Sequence, residues 1–187
     1  MNTDLAIIEP LNRWAVNHVD LTVAIASNTV YLAITLSIIA FLYSVMRNAS
    51  KPMSLLQSLR LLITEGFIKL VIPVGLASLA SDVISHLFER PRPFAAHSNI
   101  EMVITQSPNG GMPSLLVTFT VALGVAVMFF SRKMGITIIV LAIAAGVGRI
   151  AAGIHYPSDI VVGALLGAGI AWGYKVIFRD IKRRASL

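Results

Sequence analysis

From Leu21 to Val45 the chain carries no charged side chain, and this run constrains the fold more than any other feature. A helix rising about 1.5 Å per residue over that length crosses roughly 30 Å of hydrocarbon. Further predominantly apolar runs, each with few charges, follow at about 60–87, 114–130, 134–150 and 158–178. Within a bilayer every backbone N–H and C=O must be paired inside the protein, so such runs read as helices. The expected fold is an all-α integral membrane protein with about five transmembrane helices. Composition agrees, because 56% hydrophobic and 13% charged residues with a mean hydropathy of +0.80 are wrong for a soluble chain of 187 residues.

The expected organisation is a single membrane domain over 1–187. Residues 1–20 mix apolar and polar positions at helical spacing, interrupted by Pro10 and Asn12, and suit an interfacial helix with Trp14 at headgroup level. The five-span bundle occupies 21–178, and 179–187 is a basic cytoplasmic tail expected to fray. In the second run, Glu65 and Lys69 stand one turn apart and read as a structural ion pair. Pro73 and Gly75 are expected to kink the same helix, and Gly163, Gly167, Gly169 and Gly173 to let the last helix pack closely. The N-terminus lacks a basic region followed by an apolar core and a small-residue cleavage site, so the first span is expected to direct insertion itself.

A net charge of +6 does not imply nucleic acid, because the basic residues fall at the ends of apolar runs. Their pattern reports topology instead. The segments at 46–60, 131–134 and the C-terminal tail, with Lys175 at the last helix end, hold ten of the fifteen Lys and Arg residues. The positive-inside rule makes these segments cytoplasmic. The turn around Arg92, the helix start at Ser114 and the island from Arg149 to Asp159 then share the outer face. With no cysteine in the chain, thiolate chemistry is closed.

Those three outer segments carry the polar residues that a membrane protein keeps for function. Arg92, Arg149 and the Pro113-Ser114 helix start present guanidinium forks and backbone amides, which suit a compact phosphate. His155 and Asp159 at i, i+4 pair an imidazole with a carboxylate that can fix its tautomer, as phosphoryl transfer through a nucleophile requires. One His and one Asp without a third protein donor make a thin metal site, so neither metal nor cofactor is expected. Each residue alone has a plainer reading, as a snorkelling Arg or a helix-boundary His.

Arg90-Pro91-Arg92-Pro93, Pro113-Ser114 and Arg149-x5-His155-x3-Asp159 resemble the three motifs of the type 2 phosphatidic acid phosphatase family, membrane relatives of the vanadium haloperoxidases. The family pattern is K-x6-RP, PSGH and SR-x5-H-x3-D, spanning about 80–165 here. The resemblance implies that Arg92, Arg149 and Ser114 hold phosphate, that His155 attacks phosphorus, and that Asp159 orients His155. The short length, the RPRPF turn and the polar loop before Pro113 are most similar to the branch of bacterial undecaprenyl diphosphate phosphatases. That branch implies a polyprenyl diphosphate substrate, a bacterial plasma-membrane location and a site facing the periplasm or outside.

Three positions depart from the pattern. Ser85 stands where the family has Lys, Gly148 where it has Ser, and Leu116 where it has the His that protonates the leaving group. General acid help is worth about 10²- to 10⁴-fold, so impaired turnover is expected. Two accounts of Leu116 stay open: a specialised or non-catalytic relative, or a chain in which a parental His has been replaced. Likewise the function is either a lipid diphosphate phosphatase, a lipid-phosphate binder or transporter without turnover, or a phosphatase of phosphatidic acid or phosphatidylglycerophosphate. His97 and His86 read as a solvated loop residue and a helix-end residue.

Overall fold

The computed structural model describes residues 3–48 and 54–184, all of whose regular structure is helical. Helix α1 (Thr3–Val16) leads through α2 (Val19–Val23) and a π-helical turn, Ala24–Asn28, into α3 (Thr29–Asn48). Helix α4 (Leu55–Leu61) continues through a π-helical stretch, Leu62–Val71, into α5 (Ile72–Phe88). The short α6 (Pro93–Ala96), α7 (Leu115–Val127), α8 (Arg132–Ala151) and α9 (Pro157–Arg184) complete the chain. Pro73 sits at the start of α5, directly after the π-helical stretch, so the change of helical pitch falls next to the residue that lacks an N–H. Lys51 and the side chains of Arg47 and Glu65 lie outside the described residues, and with them the expected Glu65–Lys69 pair.

Among the described residues, four helical segments are long and apolar enough to cross a membrane: Val19–Met46, Gly66–Ala96, Arg132–Ala151 and Pro157–Ile181. The expected span at 114–130 is helical only over Leu115–Val127, or about 20 Å. It is short because it does not face lipid. Helices α3, α5, α8 and α9 all pack on it, and ten of its residues are buried. Its Thr118 and Thr120 hydroxyls donate to the carbonyls of Ser114 and Leu116 one turn back, so burial leaves neither unpaired. Outward-facing Tyr31, Val140, Leu165 and Trp172 are exposed, as lipid-facing side chains must be.

The last helix packs on α7 through two of the four glycines singled out. A Cβ on Gly163 would stand 3.0 Å from the Ser114 carbonyl oxygen, and one on Gly167 would overlap that of Thr118. Gly169 and Gly173 face open space. The basic tail does not fray over its described part, since α9 stays helical through Arg184. Both α8 and α9 have one end at the polar island, and their basic ends lie 20 and 28 residues away, roughly 30 and 42 Å. The basic ends and the island are therefore a membrane thickness apart.

Helix α1 does more than lie on the bundle. Ile8 is fully buried, and Asn12 is clamped: its Nδ2 donates to the carbonyls of Glu101 and Ala151, both at 2.9 Å, while its Oδ1 accepts from Glu101 N at 2.8 Å. Trp14 is half-exposed and stacks on His18 with ring centroids 4.5 Å apart. The N-terminal helix thus braces the loop before α7 and the end of α8.

Candidate active site

The Arg90–Pro93 turn leaves α5 through Glu89, which adopts a left-handed conformation (φ 40°) and stops the helix. Two prolines then hold the chain extended. The loop that follows folds back on this turn: Arg92 N donates to Pro108 O at 2.8 Å and Gly111 N to Arg90 O at 3.0 Å. Gly153 lies between α8 and α9 with φ 74°, and a Cβ there would sit 2.5 Å from the Glu101 carbonyl oxygen. A glycine is therefore needed for the close return that brings His155 under the turn. Gly148 meets a similar limit. A Cβ at this position would stand 2.8 Å from Ala26 N in the π-helical turn, so the family's Ser would collide with that backbone.

These elements bring Arg92, Ser114, Arg149, His155 and Asp159 together, each less than a tenth exposed. His155 Nδ1 donates to the Gly111 carbonyl at 2.8 Å and lies 3.5 Å from Asp159 Oδ2. Arg92 Nη1 donates to Ile154 O at 2.9 Å and approaches His155 Nε2 at 3.3 Å. A guanidinium has no acceptor to offer, so these partners assign the proton to Nδ1 and the lone pair to Nε2. Burial holds the imidazole down to about 4, with Arg149 and Arg92 pushing the same way against the Asp159 carboxylate. It is neutral at pH 7. Asp159 Oδ2 accepts from Tyr156 N at 2.8 Å, and its backbone O accepts from Ser114 N at 3.2 Å.

Three buried donors of this cluster are left over. Arg92 Nε, Arg149 Nε and Ser114 Oγ have no hydrogen-bond partner among the described residues. Leaving such groups unpaired costs about 1–3 kcal/mol each, more for charged ones, unless a ligand satisfies them. Two guanidinium groups, one hydroxyl and a neutral imidazole suit a tetrahedral oxyanion.

All these groups except Ser114 and Asp159 border a cleft of about 980 Å³. Leu115, Leu116 and Phe119 of α7 line it with them, so position 116 does face the site. His86 lines it too, which its place at a helix end did not announce. Its Nδ1 lies 2.8 Å from the Asp82 carbonyl oxygen. His97 does not line the cleft and instead packs edge-on against Tyr156, 6.3 Å between centroids. Ser85 fills the family's Lys position with a hydroxyl that donates to Gly110 O at 3.0 Å. The residue that sequence reasoning left without a role is Arg90. Its Nη1 donates to Asp159 Oδ1 at 2.7 Å and to Ser158 Oγ at 2.8 Å.

A helical bundle that buries such a cluster at one end of its membrane spans is an integral membrane protein with a polar site at one end of its helices. The chain belongs to the PAP2 superfamily, whose sequence model matches residues 66–183. It is 33% identical over 97 residues to the bacitracin transport permease protein BcrC of Bacillus licheniformis, an alignment covering 52% of this chain and 48% of that one. It is also 33% identical over 119 residues to the undecaprenyl-diphosphatase BcrC of Bacillus subtilis, covering 62% and 61%. The chain therefore spans about half to three-fifths of these relatives' lengths. Its fold resembles the crystal structure of a PAP2-type phosphatidylglycerolphosphate phosphatase from Bacillus subtilis, with a TM-score of 0.64 at 17% identity over 98% and 90% of the two chains. It also resembles that of Aquifex aeolicus LpxE, with a TM-score of 0.52 at 21% identity over 83% and 92%.

Proposed function

We propose that this protein hydrolyses a polyprenyl diphosphate to the monophosphate on the outer face of a bacterial plasma membrane, with His155 as nucleophile. The carrying observation is the set of three unpartnered buried donors, Arg92 Nε, Arg149 Nε and Ser114 Oγ, beside an imidazole whose Nε2 lone pair is available. In this reading Nε2 attacks the terminal phosphorus and the bridging P–O bond breaks. The lipid monophosphate departs with the bond's electron pair, and Arg92 and Arg149 balance charge on the equatorial oxygens. Water then attacks the phosphohistidine, returns the lone pair to Nε2 and releases inorganic phosphate. Asp159 and the Gly111 carbonyl keep the Nδ1 proton in place throughout.

A diphosphate is favoured over a monoester by Leu116. An alkoxide leaving group needs a proton that a Leu side chain cannot give, whereas a phosphate monoester leaves stabilised by its own charge. A lipid tail is favoured by a second, apolar groove of about 360 Å³ between α3, the second span and α7. It shares Ser78 and Phe119 with the cleft around His155. The location rests on the basic helix ends of α8 and α9, far from the site, and on the relatives' family.

The test is phosphate release in EDTA from a short-chain polyprenyl diphosphate, with phosphatidic acid as competitor and binding measured in parallel. Release of one phosphate per lipid, weakly inhibited by phosphatidic acid, is expected. Binding without release, unchanged when Leu116 is replaced by His, identifies a lipid-phosphate binder instead. Preferred release from phosphatidic acid overturns the diphosphate assignment.

A further inference from the structure

The two arginines of the Arg90–Pro93 turn bracket the His155–Asp159 pair from opposite sides. Arg92 addresses the imidazole at Nε2, as described. Arg90 addresses the carboxylate: Nη1 holds Asp159 Oδ1 at 2.7 Å, and its Cζ lies 4.1 Å from the centre of the Tyr156 ring. Asp159 is fully buried, and its other oxygen accepts from Tyr156 N at 2.8 Å while facing His155 Nδ1 at 3.5 Å. A carboxylate fixed at both oxygens cannot turn about its terminal torsion, so Oδ2 stays directed at Nδ1. Arg90 is itself anchored from outside the family-matched region. Asp4 of α1 lies 3.6 Å from Arg90 Nη2 and accepts from Ser158 Oγ at 3.2 Å, the same hydroxyl that accepts from Arg90.

We infer that Arg90 is a positioning residue for the reaction, that it keeps Asp159 aligned with His155, and that Asp4 makes the N-terminal helix part of that alignment. The inference rests on His155 and Asp159 being the working pair of the proposed function. Arg90 is not among the residues that line the cleft, and its short hydrogen bonds go to Asp159 and Ser158. Its contribution is to the rate of attack and not to substrate affinity, since the groups proposed to hold phosphate are Arg92, Arg149 and Ser114. A Lys at 90 could reach one oxygen but not replace the fork that joins Asp159, Ser158 and Asp4.

The experiment uses the full chain with R90A, R90K and D4A, in both the parent and the L116H background. Histidine-selective ¹⁵N NMR in micelles reads the His155 tautomer without any need for turnover, and kcat and KM are measured on a short-chain polyprenyl diphosphate. R90A should lower kcat about 10- to 100-fold, the usual range for a group that orients a reacting side chain. KM should stay within about twofold, and the His155 ring should lose its single Nδ1–H form. R90K should recover part of both signals. D4A should have a smaller effect that vanishes in the R90A background, because the two act in series. A His155 tautomer and kcat unchanged by R90A would overturn the inference, as would a fall in kcat matched by an equal loss of folded protein. If no background turns over substrate, the phosphatase reading fails while the tautomer measurement still decides the role of Arg90.

Discussion

The wall of the cleft that carries His155 and the wall built from α7 follow different rules. On the first, the imidazole and its neighbours are held, Nδ1 by Gly111, Asp159 by Arg90 and Tyr156 N, Arg92 Nη1 by Ile154, while the Nε groups of Arg92 and Arg149 are left open. On the second, Leu115, Leu116 and Phe119 present side chains without a donor or acceptor. The polar residues across the cleft mouth, His86 with Asp82, belong to α5 and bond within their own turn. The contrast teaches that buried polarity is concentrated around His155, the nucleophile of the proposed reaction. In the proposed reaction the side chains of α7 that line the cleft offer a leaving group only hydrocarbon, which favours one that carries its own charge.

The strongest way to break the contrast is to remove the nucleophile. H155A should abolish any phosphoenzyme and lower phosphate release by about 10⁴-fold or more, measured by acid-quenched labelling and steady-state assay. Full activity in H155A would show that the polar wall does something else. Supplying the apolar wall with an acid comes next. L116H should raise release from a polyprenyl diphosphate by up to about 10²- to 10⁴-fold, and proportionally more from a monoester. No gain on either substrate would mean that position 116 does not face the leaving group.

A smaller effect follows from the imidazole's environment. Protonation removes the Nε2 lone pair, so kcat/KM should fall tenfold per unit below about pH 4 and stay flat from there towards neutrality. An acid limb centred near 6.5 would indicate a solvated His155. The mildest test weakens the support behind the polar wall. N12A removes three hydrogen bonds to the loop before α7 and the end of α8. It should lower the unfolding midpoint by an amount equivalent to about 1–3 kcal/mol per group left unpaired, read by thermal melting in detergent.

Much of the site was legible because its determinants are local or repetitive. Long apolar runs marked the spans, and the six- and four-residue spacings from Arg149 through His155 to Asp159 marked the polar island. Residues that work across long separations left no such mark. Asn12 reads as an interruption in an amphipathic stretch, yet its partners are 89 and 139 residues away. Arg90 reads as a repeat of Arg92, and only the folded turn shows that residues two apart on an extended chain reach different members of one pair. The Gly111 carbonyl, the nearest partner of His155 Nδ1, is backbone and therefore silent in sequence. Helix α7 looked like an ordinary span because burial by neighbouring helices and burial by lipid select the same apolar residues.

The clamp formed by Asn12 also sets an order of events during synthesis. Helix α1 leaves the ribosome first, but the Ala151 carbonyl that Asn12 holds is made 139 residues later. At about 5–20 residues per second the helix waits roughly 7–28 s for its partner. Throughout that interval α1 must remain on the side where the polar island will emerge, amphipathic and undocked, while the intervening spans are inserted. The membrane surface is then its provisional partner, and the end of the bundle that carries His155 can close only when the last loop has been delivered to the same side.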